Sequence, residues 1–258
     1  MKNVMLPIER QQQILAMVTE KGVISLMELM ECFQVSHMTI RRDIQKLESL
    51  NAIAIVSGGI ALPERQRLLA EPSHQDKTVM YPHEKEAIGR AAAQLIPMNS
   101  SIYLDAGTTT LALAHALAGR DDLLVVTNDF VIAAFITEHT RCQMVHTGGT
   151  LCRENRSCVG TLAAAMLQNL FIDIAFISAA CWNERGISTP HEDKVAVKQA
   201  VAKISSRRVL LADASKYGKI ANYLALPLSA FDSIISDEHL PATAIAHIHD
   251  RGIELHQA

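Results

Sequence analysis

Cysteine is scarce in this chain and poorly spaced for structural work. The five cysteines, Cys32, Cys142, Cys152, Cys158 and Cys181, are odd in number and form no C-x-x-C pair. That pattern excludes a disulfide framework and leaves buried or unreactive thiols in a reducing compartment. The eleven histidines are scattered, and His247-x-His249 has no third ligand nearby, so no metal site is expected. No apolar run reaches the roughly eighteen residues that a membrane-spanning helix needs. Residues 1–13 are polar and lack the apolar core of a secretory signal, so a cytoplasmic protein is expected. A large excess of one charge is missing too. The formal net charge is −3, and residues 1–62 hold six basic against six acidic side chains. Non-specific attraction to a polyanion should therefore be modest. What remains is 258 residues, 49% hydrophobic, enough for one sizeable core plus a smaller one.

The densest signal lies between Val35 and Leu47. Ile40, Ile44 and Leu47 recur at helical spacing and predict a buried stripe, with Ser36 in the N-cap position. The opposite face carries Met38, Arg42 and Gln45, flanked by His37, Thr39, Arg41 and Lys46. Such a helix fits a DNA major groove. There arginine reads guanine edges and glutamine reads adenine, while threonine, lysine and backbone amides hold phosphates. A charged amphipathic helix is more often a solvated surface helix, so the neighbours decide. Residues 9–21 read as a helix with Ile14, Leu15 and Val18 inward, ended by Gly22. Ser25-Leu26-Met27-Glu28 has the form of a capping box and opens a second helix, with Leu26, Leu29, Met30 and Phe33 apolar. Gln34 to Ser36 then form the turn of a helix-turn-helix spanning about residues 25–45. Residues 53–56 and 60–62 flank Ser57-Gly58-Gly59 and predict a hairpin wing whose tip, Ser57 and Gly58, joins the DNA-binding residues. Residues 1–62 thus read as a winged helix-turn-helix domain.

Residues 63–82 are polar, contain Pro63, Pro72 and Pro82, and read as a linker with some helical character near residues 65–70. From residue 83 to 258 the pattern changes. Ile88, Ala91, Ala92 and Leu95 show helical periodicity, stopped by Pro97. Short apolar runs at 102–104, 123–126, 144–145, 174–177, 209–211 and 234–235 then alternate with helix-like segments at 110–118, 130–138, 162–170 and 193–204. That alternation predicts an α/β domain with a mostly parallel sheet covered on both faces. Polar loops follow the runs: Asp105-Ala106-Gly107-Thr108-Thr109-Thr110, Thr127-Asn128-Asp129, Gly148-Gly149-Thr150, Ser178-Ala179-Ala180 and Asp213-Ala214-Ser215-Lys216. These are strand C-terminal ends, where open α/β sheets bind ligands. Gly107 lets backbone come close to a ligand. Thr108, Thr109 and Thr110 open a helix whose amides and dipole favour a phosphate, and Lys216 can pair with the same anion. Any single loop could be a plain cap or surface turn, but five together favour a shared pocket.

These motifs resemble those of DeoR-type bacterial transcriptional regulators over nearly the full length. The match runs through Ser36-x-Met38-Thr39-Ile40-Arg41-Arg42-Asp43-Ile44, Leu47-Glu48 and the wing Val56-Ser57-Gly58-Gly59. It continues through Glu84-Lys85-x-Ala87-Ile88-Gly89, residues 105–110, Thr127-Asn128, Gly148-Gly149, Val159-Gly160, Val197-Lys198 and Asp213-x-Ser215-Lys216. The resemblance implies a sensor domain related to sugar-phosphate isomerases and CoA transferases. It also implies a phosphorylated sugar or sugar acid as effector, and an oligomer that often represses. The effector-binding set it suggests is Asp105, Gly107, Thr108, Thr109, Thr110, Thr127, Asn128, Asp129, Gly149, Lys198, Asp213 and Lys216. Three departures stand out: Ser57 where many relatives have histidine, Gln199 where arginine is common, and Ala179-Ala180-Cys181-Trp182 after the fourth run. Trp182 either narrows the pocket mouth or packs in the core.

An isomerase of this type would need a base near C2 of the sugar. The Gly-Asp-Gly-His-like turn of such enzymes is absent, and only Glu184 stands near where it would be. No catalytic residue and no cofactor are therefore expected. The expected partners are double-stranded operator DNA, a phosphorylated sugar or sugar-acid effector, and a second copy of the chain, with no membrane. An isomerase-like enzyme with an appended DNA-binding domain is the first alternative. A winged helix that binds protein is the second, and the Arg41-Arg42 face argues against it.

Overall fold

The computed structural model describes residues 6–21, 23–49, 52–56, 58–61, 68 and 70–258. The chain divides into two compact units, 1–66 and 67–258.

The first unit contains α1 (Pro7–Lys21), β1 (Val23–Ile24), α2 (Leu26–Phe33), α3 (His37–Ser49), β2 (Ala54–Val56) and β3 (Gly59–Ala61). Ser25 starts α2 as the capping box requires: its hydroxyl accepts from the Glu28 amide at 3.1 Å, and its own amide donates to Glu28 at 2.9 Å. Gln34 ends that helix in the left-handed region, with φ of 51°, and redirects the chain into α3. Ser36 accepts from the Thr39 amide at 3.3 Å and caps α3. Ile14 and Val18 of α1, Leu29 of α2, and Ile40, Ile44 and Leu47 of α3 share one core with Ile24, Ile53 and Ile60. Each such side chain contributes roughly 1.5–3 kcal/mol on full burial. The strands lie in the order β1-β3-β2, all antiparallel. Two-residue β1 is too short to announce itself in sequence. Its pairing demands glycine at residue 59, because a Cβ there would come within 2.1 Å of the Ile24 carbonyl oxygen. Gly22 and Ser57, the predicted helix stop and part of the wing tip, lie outside the described residues.

The second unit begins with α4 (His74–Val79), α5 (Pro82–Gln94), β4 (Ser101–Leu104), α6 (Thr108–Ala116), β5 (Leu124–Thr127), α7 (Phe130–His139) and β6 (Gln143–His146). It continues with β7 (Thr150–Cys152), β8 (Ser157–Val159), α8 (Gly160–Leu167), β9 (Ile172–Ser178), β10 (Cys181–Asn183), β11 (Gly186–Thr189) and α9 (Glu192–Ile204). Then follow β12 (Ser205–Leu211), β13 (Tyr223–Pro227), β14 (Ser233–Ser236), α10 (Ala242–His249) and β15 (Glu254–Gln257). Among the described residues, the main sheet has seven parallel strands in the order β15-β14-β12-β9-β4-β5-β6. Alternate side chains feed two cores. Ile102, Leu104, Phe176 and Leu211 face α5, α6 and α7, while Tyr103, Ala175, Ile177 and Leu210 face α8, α9 and α10. Both faces are covered, so the strands read as continuous apolar runs.

Strand order reverses between β4 and β9. Later strands grow outward from β4 on one side and from β9 on the other. Their C-terminal ends therefore diverge and leave a crevice, the usual ligand position in an open α/β sheet.

Two features differ from the sequence expectation, and the open question of Trp182 is decided. Residues 70–82 are not a free connector but part of the larger unit. The Leu68 amide bonds the Ile220 carbonyl at 2.8 Å, the His74 amide bonds Glu154 at 2.9 Å, and α4 is capped by Ser73. Residues 62–67 and 69 lie outside the described residues. Small antiparallel sheets, β10-β11-β13 and β7-β8, flank the main one. Their strands of three to five residues carry too little periodicity to be told from loops. Trp182 sits on β10, fully buried, with its ring edge-on to Tyr217 at 4.8 Å between centroids. It is a packing residue and does not border the crevice.

Candidate functional site

Two surfaces carry the chemistry, one in each unit. On α3 the inward and outward faces are cleanly separated. Ile40, Ile44 and Leu47 are buried, while His37, Met38, Arg41, Arg42, Gln45 and Lys46 are exposed, as is Ser36 at the helix start. Thr39 is half-buried and its hydroxyl meets that of Ser36 at 3.0 Å. Met38 is 58% exposed, an apolar group held outward among polar ones. At the wing, Gly58 is exposed with φ of +94°, a conformation that favours glycine. The acidic member of the helix, Asp43, is buried. Arg10 Nε reaches it at 2.6 Å and Gln11 Nε2 at 2.9 Å. This interior pair locks α1 to α3 and removes a negative charge from the outward face. That face is thus more positive than the balanced formal charge of residues 1–62 suggests.

The second surface is a cavity at the strand-order reversal, wholly within the larger unit. The β4–α6 turn supplies Asp105, Gly107, Thr108 and Thr109; Ser178 and Ala179 end β9; Lys194 and Lys198 come from α9; Asp213 and Lys216 follow β12. Asn128 also lines it, held by the Tyr103 hydroxyl at 2.9 Å and donating to the Cys158 carbonyl. Six lysines border the space, Lys77, Lys85, Lys194, Lys198, Lys216 and Lys219, against three carboxylates, Glu71, Asp105 and Asp213. Lys198 pairs with Asp105 and donates to the Ser178 carbonyl at 2.7 Å. Asp105 also accepts from the Ser178 amide and hydroxyl, both at 3.0 Å. Lys216 lies 3.2 Å from Asp213 and 3.3 Å from the Thr109 hydroxyl. Lys85 donates to the Lys77 and Met80 carbonyls at the end of α4. Burial and the neighbouring Lys216 bring Lys85 down to about 8, although Asp213 opposes this. Burial works against ionisation of Glu71, but Lys194 and Lys77 outweigh it and hold its carboxyl at about 2. The net positive excess and the opening turn of α6 together suit an anion.

Eight of the twelve residues expected to bind an effector border this cavity: Asp105, Gly107, Thr108, Thr109, Asn128, Lys198, Asp213 and Lys216. The other four do not. Thr110 folds back to the Asp105 and Gly107 carbonyls, and Thr127 to the Leu104 carbonyl. Asp129 caps α7 through the Val131 and Ile132 amides and also accepts from Gly107. Burial raises its carboxyl to about 6 despite those donors. Gly149 lies against α8, where a Cβ would meet Ala163 at 2.9 Å. These four shape the loops around the cavity. Sequence reasoning missed Glu71, Lys77, Lys85 and Lys194 as cavity residues. The S-x-x-D capping pattern at Ser73 to Asp76 was the available sign that this stretch is ordered. Glu184, the one acid near the expected catalytic turn, does not line the cavity.

Comparison with known proteins agrees with this two-part layout. Residues 10–66 match the DeoR-like helix-turn-helix domain, and residues 81–238 match the DeoR C terminal sensor domain. The chain is 58% identical to the uncharacterized HTH-type transcriptional regulator YgbI of Escherichia coli (strain K12), over 93% of each protein. It is 29% identical to the Glycerol-3-phosphate regulon repressor of Escherichia coli (strain K12), over 96% of this chain and 97% of that one. Among solved structures, ribose 5 phosphate isomerase A from Neisseria gonorrhoeae aligns with 52% of each chain, at 18% identity and a TM-score of 0.38. The full-length relatives are regulators carrying a DNA-binding helix-turn-helix, so the chain is a regulator and not an enzyme. It belongs to the DeoR family of helix-turn-helix transcriptional regulators.

Proposed function

We propose that the protein represses a carbohydrate or sugar-acid catabolic operon and that a phosphorylated sugar or sugar acid, bound in the lysine-rich cavity, controls its hold on DNA. The observation that carries this reading is the excess of lysine over carboxylate at the strand-order reversal. A phosphate would sit at the opening of α6 beside Thr108, Thr109 and Lys216, where helix amides and an ammonium converge. Asp105 and Asn128 would meet sugar hydroxyls. The name of the Glycerol-3-phosphate regulon repressor, a relative of this chain, fits an effector of this chemistry.

At the other end, Arg41, Arg42, Gln45 and Met38 would read base edges, with Ser36, His37, Thr39, Lys46 and the wing residues Ser57 and Gly58 at the backbone. Ser57 lies outside the described residues and enters on sequence alone. The protein would act in the cytoplasm as a homo-oligomer, pairing winged helices on repeated half-sites. Among the described residues, no helix is long and apolar enough to cross a membrane.

A thermal-shift panel tests the effector reading. Phosphorylated sugars and sugar acids should raise the melting temperature, and their unphosphorylated forms should not. Equal stabilisation by both forms would remove the phosphate from the proposal. A gel shift on the operator, with and without the stabilising compound, then connects binding to DNA release.

A further inference from the structure

Glu71 is an unusual wall for an anion cavity. Its carboxylate already holds two of the lining lysines, Lys194 and Lys77, that an incoming anion would draw on. One oxygen lies 2.8 Å from Lys194 Nζ and 3.3 Å from Lys77 Nζ, and the other accepts from the Thr189 hydroxyl at 3.3 Å. The side chains of Glu71 and Lys194 are about nine-tenths buried. Glu71 is also carried by the segment that enters this unit from the winged unit, since the division between units falls at residues 66 and 67. Around it the segment is fastened by the Leu68 and His74 amides, by Lys77 on Asn155, and by Lys85 clasping the end of α4.

We propose that Glu71 is a tethered competitor of the effector, and that effector binding displaces it and loosens residues 70–80. The proposal rests on the sensor reading above. Without ligand, withdrawing Glu71 would leave Lys194 and Lys77 facing each other with no counter-charge, which is costly at such burial. The segment therefore stays down. Lys77 lies within electrostatic reach of Lys216 in the same cavity, so a phosphate beside Lys216 also offers these lysines more negative charge and more acceptor oxygens than one carboxylate does. Once it binds, the lysines remain satisfied and Glu71 can move into water. The two states differ in whether residues 70–80 are held, and in sequence that segment follows the DNA-binding unit. The coupling thus needs no change in the seven-stranded sheet.

The test uses full-length protein, with inorganic phosphate and D-ribose 5-phosphate as probes. Removing the competitor by Glu71→Gln should tighten binding of either probe about tenfold, because the binding-competent fraction no longer has to be released first. Without any probe, Glu71→Gln should speed hydrogen exchange of residues 70–80. In the wild type, saturating probe should speed the same exchange, an arm that needs no variant. Unchanged or weaker binding in Glu71→Gln overturns the competitor role while the sensor reading stands. Slower exchange of residues 70–80 on adding probe to the wild type also overturns it, since the segment would then be closing on the ligand. If neither probe binds wild type or variant, the sensor reading fails and this proposal with it.

Discussion

The outward face of α3 and the sensor cavity are both built from cations, yet they hold them in opposite ways. On α3, Arg41, Arg42 and Lys46 stand exposed, and the nearby Asp43 is turned inward and neutralised by Arg10. In the cavity, Lys194, Lys198 and Lys216 are each matched to a carboxylate, and the positive excess is spread over the lining. The first arrangement suits a large polyanion met from solvent, where charge attracts at a distance and salt weakens it. The second suits a small anion taken out of water, where an unpaired buried lysine would cost too much in its absence. A cation meant for a surface can rely on solvent to carry its charge; one meant for a cavity needs a resident partner that the ligand then joins or replaces.

The comparison breaks most severely if the inner side of α3 is removed. Ile40→Ala should cost the winged unit about 2–5 kcal/mol through the cavity left in its small core. Thermal melting should show an early transition for that unit and an unchanged one for the sensor. Arg42→Ala acts on the outer side alone. It should weaken operator binding by about 1–3 kcal/mol without altering either melting transition, as read by gel shift and calorimetry. An unaltered gel shift would contradict the groove assignment.

Thr109→Glu places a carboxylate beside Lys216, in the cavity rather than on the DNA face. Stabilisation by phosphorylated sugars should fall by about tenfold in affinity, near 1.4 kcal/mol, while operator binding persists. A normal effector response in that variant would move the phosphate elsewhere. The smallest effect is a pH dependence of the cavity wall. Glu71, held at about 2 against an ordinary value of 4.5, contributes stability that is fully present above pH 4.5 and is lost as pH falls toward 2. The loss should appear as reduced exchange protection of residues 70–80, relative to intrinsic rates, as pH falls from 5 to 3, with no matching change in α3.

Sequence alone determined what depends on neighbours a few residues apart. The capping box at Ser25, the stripe of Ile40, Ile44 and Leu47, and the polar loops after apolar runs are set by local geometry and are found in place. The exposed face of α3 was legible for the same reason, since one buried stripe fixes where the rest of a helix points. Only the tertiary structure decided which distant charges meet. Glu71 reaches Lys194 across 123 residues, Lys198 reaches Asp105 across 93, and Arg10 reaches Asp43 across 33. It also decided that Trp182 packs inside, and that Thr110, Thr127 and Asp129 brace loops. A polar side chain at a strand end can turn toward ligand or toward backbone, and the choice lies with whichever partner the folded sheet brings within hydrogen-bonding distance.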